Sequence, residues 1–369
     1  MKSKIKNKVL IFGAGNIGRG LVAYIFNKND FEIIFVDKNQ DLIDEINQKK
    51  QYKIIDINSK DEVIIKNIQA INLEDAKLKT YLKQSKYITT SLGSNNLKYL
   101  VPYLQKHFQT FSKLQFILCF ENGYKISSEF AKLFFDIQPN IRFIDLVVDR
   151  IIPSKKSKNI DVFVDNFFEV IADKNEQKRS KKLKLISYAK DIDAYTFRKL
   201  LLVNSLHSYL GYLGYLKKLK FVSESANDVE IIKNIKNLAS INIKILTSNF
   251  KEFKEIQLQK YFLNTLKRFE NKQLFDLNTR VARNPITKVS ENERFNLIYQ
   301  NVLKFHLNKQ PILDVFKSIL QFDFVEDKQA QEIQNAIKMK QIKHFLQENT
   351  KLNLEDIETL LKVDNEQNT

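Results

Sequence analysis

Short apolar runs separated by polar stretches dominate the first half of the chain. Val9-Leu10-Ile11-Phe12 is continuously apolar, as a strand buried on both faces of a parallel sheet must be. Leu21–Phe26 follows as the apolar part of a helix, and Phe31–Val36 reads as a second strand. Further β-like runs stand at Ile54-Ile55, Val63–Ile65, Tyr87–Thr90 and Phe116–Leu118, with helical stretches at Leu97–His107 and Ser127–Phe135. Strands alternating with helices predict an α/β domain with a mostly parallel sheet covered on both faces. Ile141–Val148 and Val162–Ile171 are expected to be the last strands of that sheet. From Tyr195 onward the period is helical, as in Ile231, Ile232, Ile235, Leu238, Ile241 and Ile245, and only Pro285 and Pro311 interrupt it. The pattern predicts two domains, 1–190 and an all-helical 191–369, with the lysine-rich Lys174–Lys184 as an exposed connection and a frayed tail at Val363–Thr369.

Composition adds exclusions. The 369 residues are 43% hydrophobic and 28% charged, enough for buried cores, and no apolar stretch approaches membrane-spanning length. No secretory segment opens the chain, and Cys119 is the sole cysteine, so a cytoplasmic protein without disulfides or thiolate-bound zinc is expected. The four histidines, at 107, 207, 306 and 344, form no ligand cluster, and no metal is expected. Net charge is +17, yet only nine of the 60 basic residues are arginine. That skew fits the drift of an AT-rich genome better than a nucleic-acid surface, which favours clustered arginine with aromatics. No nucleic-acid or membrane partner is expected, and a monomer is. Where arginine and glycine are rare, the positions that keep them carry information.

Four of the eight glycines fall within eight residues, in Gly13-Ala14-Gly15-Asn16-Ile17-Gly18-Arg19-Gly20, directly after a strand and opening a helix. With Asp37 at the end of the next strand, this is the fingerprint of a Rossmann-type dinucleotide site. Gly13 permits the turn, Gly15 lets backbone approach a pyrophosphate, and Gly18 lets helix pack against strand. The helix N-terminus offers free N–H groups and a partial positive charge. Asp37 would accept from ribose hydroxyls and repel a 2′-phosphate, which favours NAD over NADP, although Lys38 blunts the argument. The candidate cofactor set is Val9, Leu10, Ile11, Phe12, Gly13, Ala14, Gly15, Asn16, Ile17, Gly18, Arg19, Gly20, Asp37, Thr90 and Asn122. Thr90 precedes Ser91-Leu92-Gly93 at a strand end, where a ligand crevice or an ordinary turn would both fit. Asn122 follows the next strand and could present an amide to nicotinamide or substrate.

A cofactor fold does not specify a reaction. Lys199, Asn204 and His207 stand where the pattern changes; on a straight helix Asn204 and His207 share a face, and Lys199 lies roughly 12 Å from His207 along the axis. The apolar Leu200–Val203 would lower the lysine pKa from about 10.4, as a general base requires. On spacing alone these are equally ordinary helix residues.

The loop Phe12–Gly20, Val148-Asp149-Arg150-Ile151-Ile152-Pro153, the Lys199…Asn204…His207 spacing and Arg268-Phe269-Glu270-Asn271 resemble, in order and over nearly the whole chain, the polyol-specific long-chain dehydrogenases. The resemblance implies NAD-dependent, metal-independent interconversion of mannitol 1-phosphate and fructose 6-phosphate. It implies Lys199 as the base, Asn204 and His207 as polarising and positioning groups, and Asn122 and Asp149 as accessory polar residues near the reacting carbon. Gly123 after Asn122, and Ser205-Leu206 between Asn204 and His207, depart from that family's habit and bear on substrate geometry rather than reaction class. Arg268, Arg280, Arg283 and Arg294 lie within 27 residues, joined by Lys288. One of Arg280, Arg283 or Arg294 would grip a substrate phosphate; the alternative is ion pairing with Glu270, Asp276, Glu291 and Glu293. The competing functions are an unphosphorylated polyol or hexuronate oxidoreductase and a non-catalytic NAD-binding regulator.

Overall fold

The computed structural model describes residues 7–362 apart from 110, 112, 152, 154–158 and 176–181. Ile152, the middle of Lys174–Lys184 and the tail Val363–Thr369, all singled out above, lie outside the described residues, as does the segment 1–6. The chain divides into two compact units, 1–196 and 197–369, and the division falls within the helix Ile192–Lys199.

Among its described residues the first unit contains twelve strands: β1 (Lys8–Phe12), β2 (Glu32–Asp37), β3 (Gln51–Asp56), β4 (Glu62–Lys66), β5 (Ile68–Asn72), β6 (Ser85–Thr90), β7 (Gln115–Cys119), β8 (Ile141–Ile144), β9 (Leu146–Arg150), β10 (Val162–Val164), β11 (Phe168–Asp173) and β12 (Ser187–Ala189). Six form the main sheet in the order β5-β2-β1-β6-β7-β8, parallel throughout. Strand pleating sends alternate residues to opposite faces. Val9, Ile11, Ile33 and Phe35 therefore join one apolar cluster, while Leu10, Phe12, Ile34 and Val36 join the other. This two-sided burial is the reason the strand sequences run apolar without alternation. The order reverses between β1 and β6, so the loops leaving these two strands border the crevice where such sheets bind ligands.

The expectation of a single sheet ending in Ile141–Val148 and Val162–Ile171 is corrected. Of those segments only β8 joins the main sheet. Asp145 interrupts the first run, and β9 pairs with β11 antiparallel in a separate sheet with β12. β10 instead pairs with β3, beside β4. Apolar content identified these residues as strands, but which edge a short strand joins is set by tertiary packing.

The second unit is helical, with one isolated bridge, Phe221 to Leu277, among its described residues. Its longest helix, Val229–Asn249, is capped by Asp228, whose carboxylate accepts from the Glu230 and Ile231 amides, and it buries Ile231, Ile235, Leu238 and Ile245. Pro285 and Pro311 open the helices Pro285–Val289 and Gln310–Leu320, where the missing N–H costs nothing. Gly211, on the helix Ser205–Leu216, lets the segment Asn278–Ala282 pack directly against it: a Cβ there would lie 2.4 Å from Val281. That approach brings the arginine-rich segment alongside His207.

Candidate active site

In the first unit the glycine loop is closed by backbone. The Gly13 amide donates to the Val36 carbonyl at 2.8 Å, and the Ser91 amide to the Phe12 carbonyl at 2.8 Å. Gly13 has φ of 101°, and a Cβ on Gly18 would lie 2.0 Å from the Gly13 carbonyl oxygen. A Cβ on Gly15 would meet nothing within 4 Å, so the backbone there faces open space of the kind a pyrophosphate needs. Asp37 accepts from the Ala14 amide at 2.7 Å and from the Lys38 and Asn39 amides at 2.8 and 3.0 Å. It borders a cavity of about 310 Å³ with Phe12, Val36, Leu92, Asn96 and Tyr99, an apolar slot ending in a carboxylate. Glu121, which sequence reasoning did not assign, uses both carboxylate oxygens to hold the Leu92 and Gly93 amides at 2.7 and 2.9 Å. Burial pushes its pKa up.

Several residues of the candidate cofactor set are spent on the fold. Val9, Leu10 and Ile11 are core residues of β1. Thr90 is fully buried at the end of β6, opposite Phe12 and Cys119. The Arg19 guanidinium turns inward to the carbonyls of Ala14 and Ile160, the latter at 3.1 Å, and to Asn16 at 3.3 Å. Asn122 stands exposed after β7, and Asp149 is buried on β9 beside Glu169.

In the second unit a polar cavity of about 260 Å³ brings together Asn204, His207, Arg280, Arg283, Lys288 and Arg294. Lys199 is not among its lining residues; it is half-buried at the end of the helix Ile192–Lys199. The straight helix expected over Lys199–His207 is replaced by a π turn at Leu200–Asn204, so the spacing derived from it does not hold. His207 stacks on Phe269 with ring centroids 4.5 Å apart, and its Nε2 lies 3.0 Å from Asp276. Burial lowers the His207 pKa, which keeps the ring neutral near pH 7. The neutral ring donates its Nε2–H to the Asp276 carboxylate, leaving Nδ1 as an acceptor.

The three candidate arginines have different commitments. Arg280 holds Asp276 through two bonds of 2.5 and 2.6 Å, the ion pairing that the sequence left open. Burial would raise the Asp276 carboxyl, but bonds from His207 and Arg280 outweigh it and bring the pKa to about 2. Arg294 reaches the Asn204 carbonyl at 3.3 Å and the Ser208 hydroxyl at 3.2 Å, and borders Glu293. Arg283 is exposed, and among the described residues its guanidinium has no hydrogen-bond or ion-pair partner. Its main chain is nonetheless fixed. Lys288, buried, donates to the carbonyls of Val281 and Arg283 at 2.6 and 2.5 Å, and Asp327 accepts the Asn284 amide at 2.7 Å. Burial, with Arg294 and Arg283 near, holds the Lys288 pKa well below the usual lysine range.

Two domain families match the chain end to end: the mannitol dehydrogenase Rossmann domain over residues 7–185 and the mannitol dehydrogenase C-terminal domain over 191–367. The chain belongs to the mannitol dehydrogenase family. It is 41% identical to a mannitol-1-phosphate 5-dehydrogenase of Mycoplasmopsis pulmonis, over 97% of this chain and 98% of that one. A mannitol-1-phosphate 5-dehydrogenase of Clostridium acetobutylicum is 35% identical over 91% and 92% of the two chains. Among solved structures, Pseudomonas fluorescens mannitol 2-dehydrogenase, a ternary complex with NAD and D-mannitol, superposes with a TM-score of 0.73 at 15% identity, covering 92% of this chain and 86% of that one. These matches make the chain a polyol dehydrogenase of the mannitol dehydrogenase family, with a Rossmann-type α/β domain followed by a helical one. Among its described residues no helix is long and apolar enough to cross a membrane, and no cluster of histidine, cysteine and carboxylate side chains could hold a metal ion.

The Asp276 clamp has a pH signature. Its folded pKa of about 2 lies below the usual aspartate value of about 3.9, so its contribution to stability is full above pH 4 and is lost as pH falls toward 2. The shift corresponds to on the order of 2 kcal/mol. Denaturant unfolding at a series of pH values should show wild-type stability falling more steeply between pH 4 and 2 than that of Asp276→Asn. Equal slopes would mean that the clamp does not form.

Proposed function

We propose that this polyol dehydrogenase interconverts mannitol 1-phosphate and fructose 6-phosphate with NAD(H). The observation that carries the reading is Arg283: a guanidinium without a hydrogen-bond or ion-pair partner among the described residues, on a main chain fixed from both sides, lining the same cavity as Asn204 and His207. The relatives at 41% and 35% identity carry the name of that reaction and support the substrate.

The glycine loop suits a dinucleotide: Gly15 leaves room for phosphate, and the helix after it supplies N–H groups and a positive end. When bound, NAD supplies the hydride acceptor for oxidation and NADH the donor for reduction. Asp37 accepts three amides and keeps one of its about four acceptor sites, enough for a ribose hydroxyl, and its charge disfavours a 2′-phosphate. In reduction the Lys199 ammonium gives its proton to the substrate oxygen as the carbonyl becomes an alcohol; in oxidation the amine takes that proton back. The Asn204 amide donates to the same oxygen, and His207 Nδ1 accepts from a neighbouring hydroxyl. Asn122 and Asp149 serve as accessory polar groups toward the reacting carbon. Arg283 binds the phosphate through its planar fork, Arg294 adds positive potential, and Arg280 serves by holding Asp276.

Lys199→Ala should lower kcat for fructose 6-phosphate reduction by about 10²–10⁴-fold, the usual cost of losing an acid–base group, with NADH binding nearly unchanged. Steady-state rates alongside an NADH fluorescence titration check this, and near-wild-type kcat would move proton transfer to another residue. Arg283→Ala should lose about 10–150-fold in kcat/KM for fructose 6-phosphate and little for unphosphorylated fructose. Arg283→Lys should recover only part of the loss, because charge returns without the fork. Equal losses on both substrates would place the phosphate elsewhere.

A further inference from the structure

The π turn at Leu200–Asn204 has a main-chain consequence. The Ser205 amide bonds to the carbonyl of Leu200, five residues back, instead of that of Leu201. The Leu201 carbonyl, in the core of the unit, therefore leaves the helix ladder. Two side chains take it up: the Ser205 hydroxyl donates to it, and Asn242 Nδ2 donates to it at 2.7 Å while lying 3.2 Å from the same hydroxyl. Ser205 and Asn242 are both fully buried. Asn242 is the one amide among the buried residues of the helix Val229–Asn249, which are otherwise Ile, Leu and Ala.

We infer that Asn242 is a positioning residue for the reaction. By satisfying the carbonyl that a π turn releases, it makes the widened turn the stable form and so fixes Lys199, before the turn, relative to Asn204 and His207, at and after its end. Without that donor the competing form is the α-helical register, in which the Leu201 carbonyl regains the Ser205 amide and the two ends of the turn rotate against each other. The inference rests on the reading that Lys199, Asn204 and His207 carry the chemistry.

The test replaces the donor with a side chain of similar size, Asn242→Leu, and expresses fructose 6-phosphate reduction as kcat per NADH-binding site, counted by titration in the same preparation. A displaced acid–base group is expected to cost about 10–100-fold in kcat per site, with KM for NADH unchanged. Ser205→Ala, which leaves Asn242 on the carbonyl, should stay within about threefold of wild type. If the leucine variant does not fold, Asn242→Ser, whose donor is too short to reach the carbonyl, decides: a lowered kcat per site supports the inference. A wild-type kcat per site in either Asn242 variant, whatever the yield of folded protein, overturns it and leaves Asn242 a matter of stability alone. Lys199→Ala run alongside separates the two failures. Turnover kept in that variant overturns the lysine reading and this inference together, whereas turnover lost there and kept in Asn242→Leu overturns only the inference.

Discussion

A helix that gains one residue in a turn releases a carbonyl it can no longer satisfy, and a buried carbonyl left unpaired costs about 1–3 kcal/mol. Among the described residues the chain meets that constraint twice, once in each unit, at Gly18–Val22 and at Leu200–Asn204. In the glycine-loop helix the π turn Gly18–Val22 sends the Ala23 amide to Gly18, and the released Arg19 carbonyl accepts the hydroxyl of buried Tyr52 at 2.7 Å. In the second unit the π turn Leu200–Asn204 releases the Leu201 carbonyl to Asn242 and Ser205. Neither turn is held by its own helix alone. Each depends on a polar side chain sent in from another element, β3 in one case and the helix Val229–Asn249 in the other. Those two bonds satisfy the carbonyls that the π turns release, one in the helix after the glycine loop and one between Lys199 and His207.

Charge is arranged on the same principle, with some groups spent so that another is left unspent. Asp276 draws its low pKa from His207 and Arg280, fixing the imidazole proton on one nitrogen and consuming one arginine. Lys288 gives its ammonium to two carbonyls of the loop that carries Arg283. Arg294 is divided among Glu293, the Asn204 carbonyl and Ser208. Among the described residues, that leaves Arg283 at the cavity with its backbone held and its guanidinium without a hydrogen-bond or ion-pair partner. An anionic substrate group is the natural complement to that balance.

Much of this was legible in the residues. The glycine spacing followed by Asp37, the apolar strand runs and the helical period after Tyr195 located the Rossmann-type α/β domain and the helical one, because each is a local pattern with a local cause. The separate sheets were not legible, since the runs Leu146–Val148 and Val162–Val164 are apolar like the core strands and their pairing depends on their neighbours. The inward turn of Arg19 was hidden as well: a basic residue in a phosphate-type loop reads as a ligand group until the Ala14 and Ile160 carbonyls are seen beside it. A π turn leaves no composition signal of its own. Its trace was Asn242, a polar residue set among Leu238, Ile241 and Ile245 on an apolar helix face, where an amide without a task would be costly.

The most direct measurement is the rate of NADH oxidation by the purified chain with fructose 6-phosphate and with fructose, each compared with NADPH in place of NADH. The account predicts turnover with NADH and fructose 6-phosphate, kcat/KM at least about tenfold lower with fructose because the phosphate contact is lost, and lower kcat/KM with NADPH. Equal or better use of fructose, or of NADPH, would contradict it.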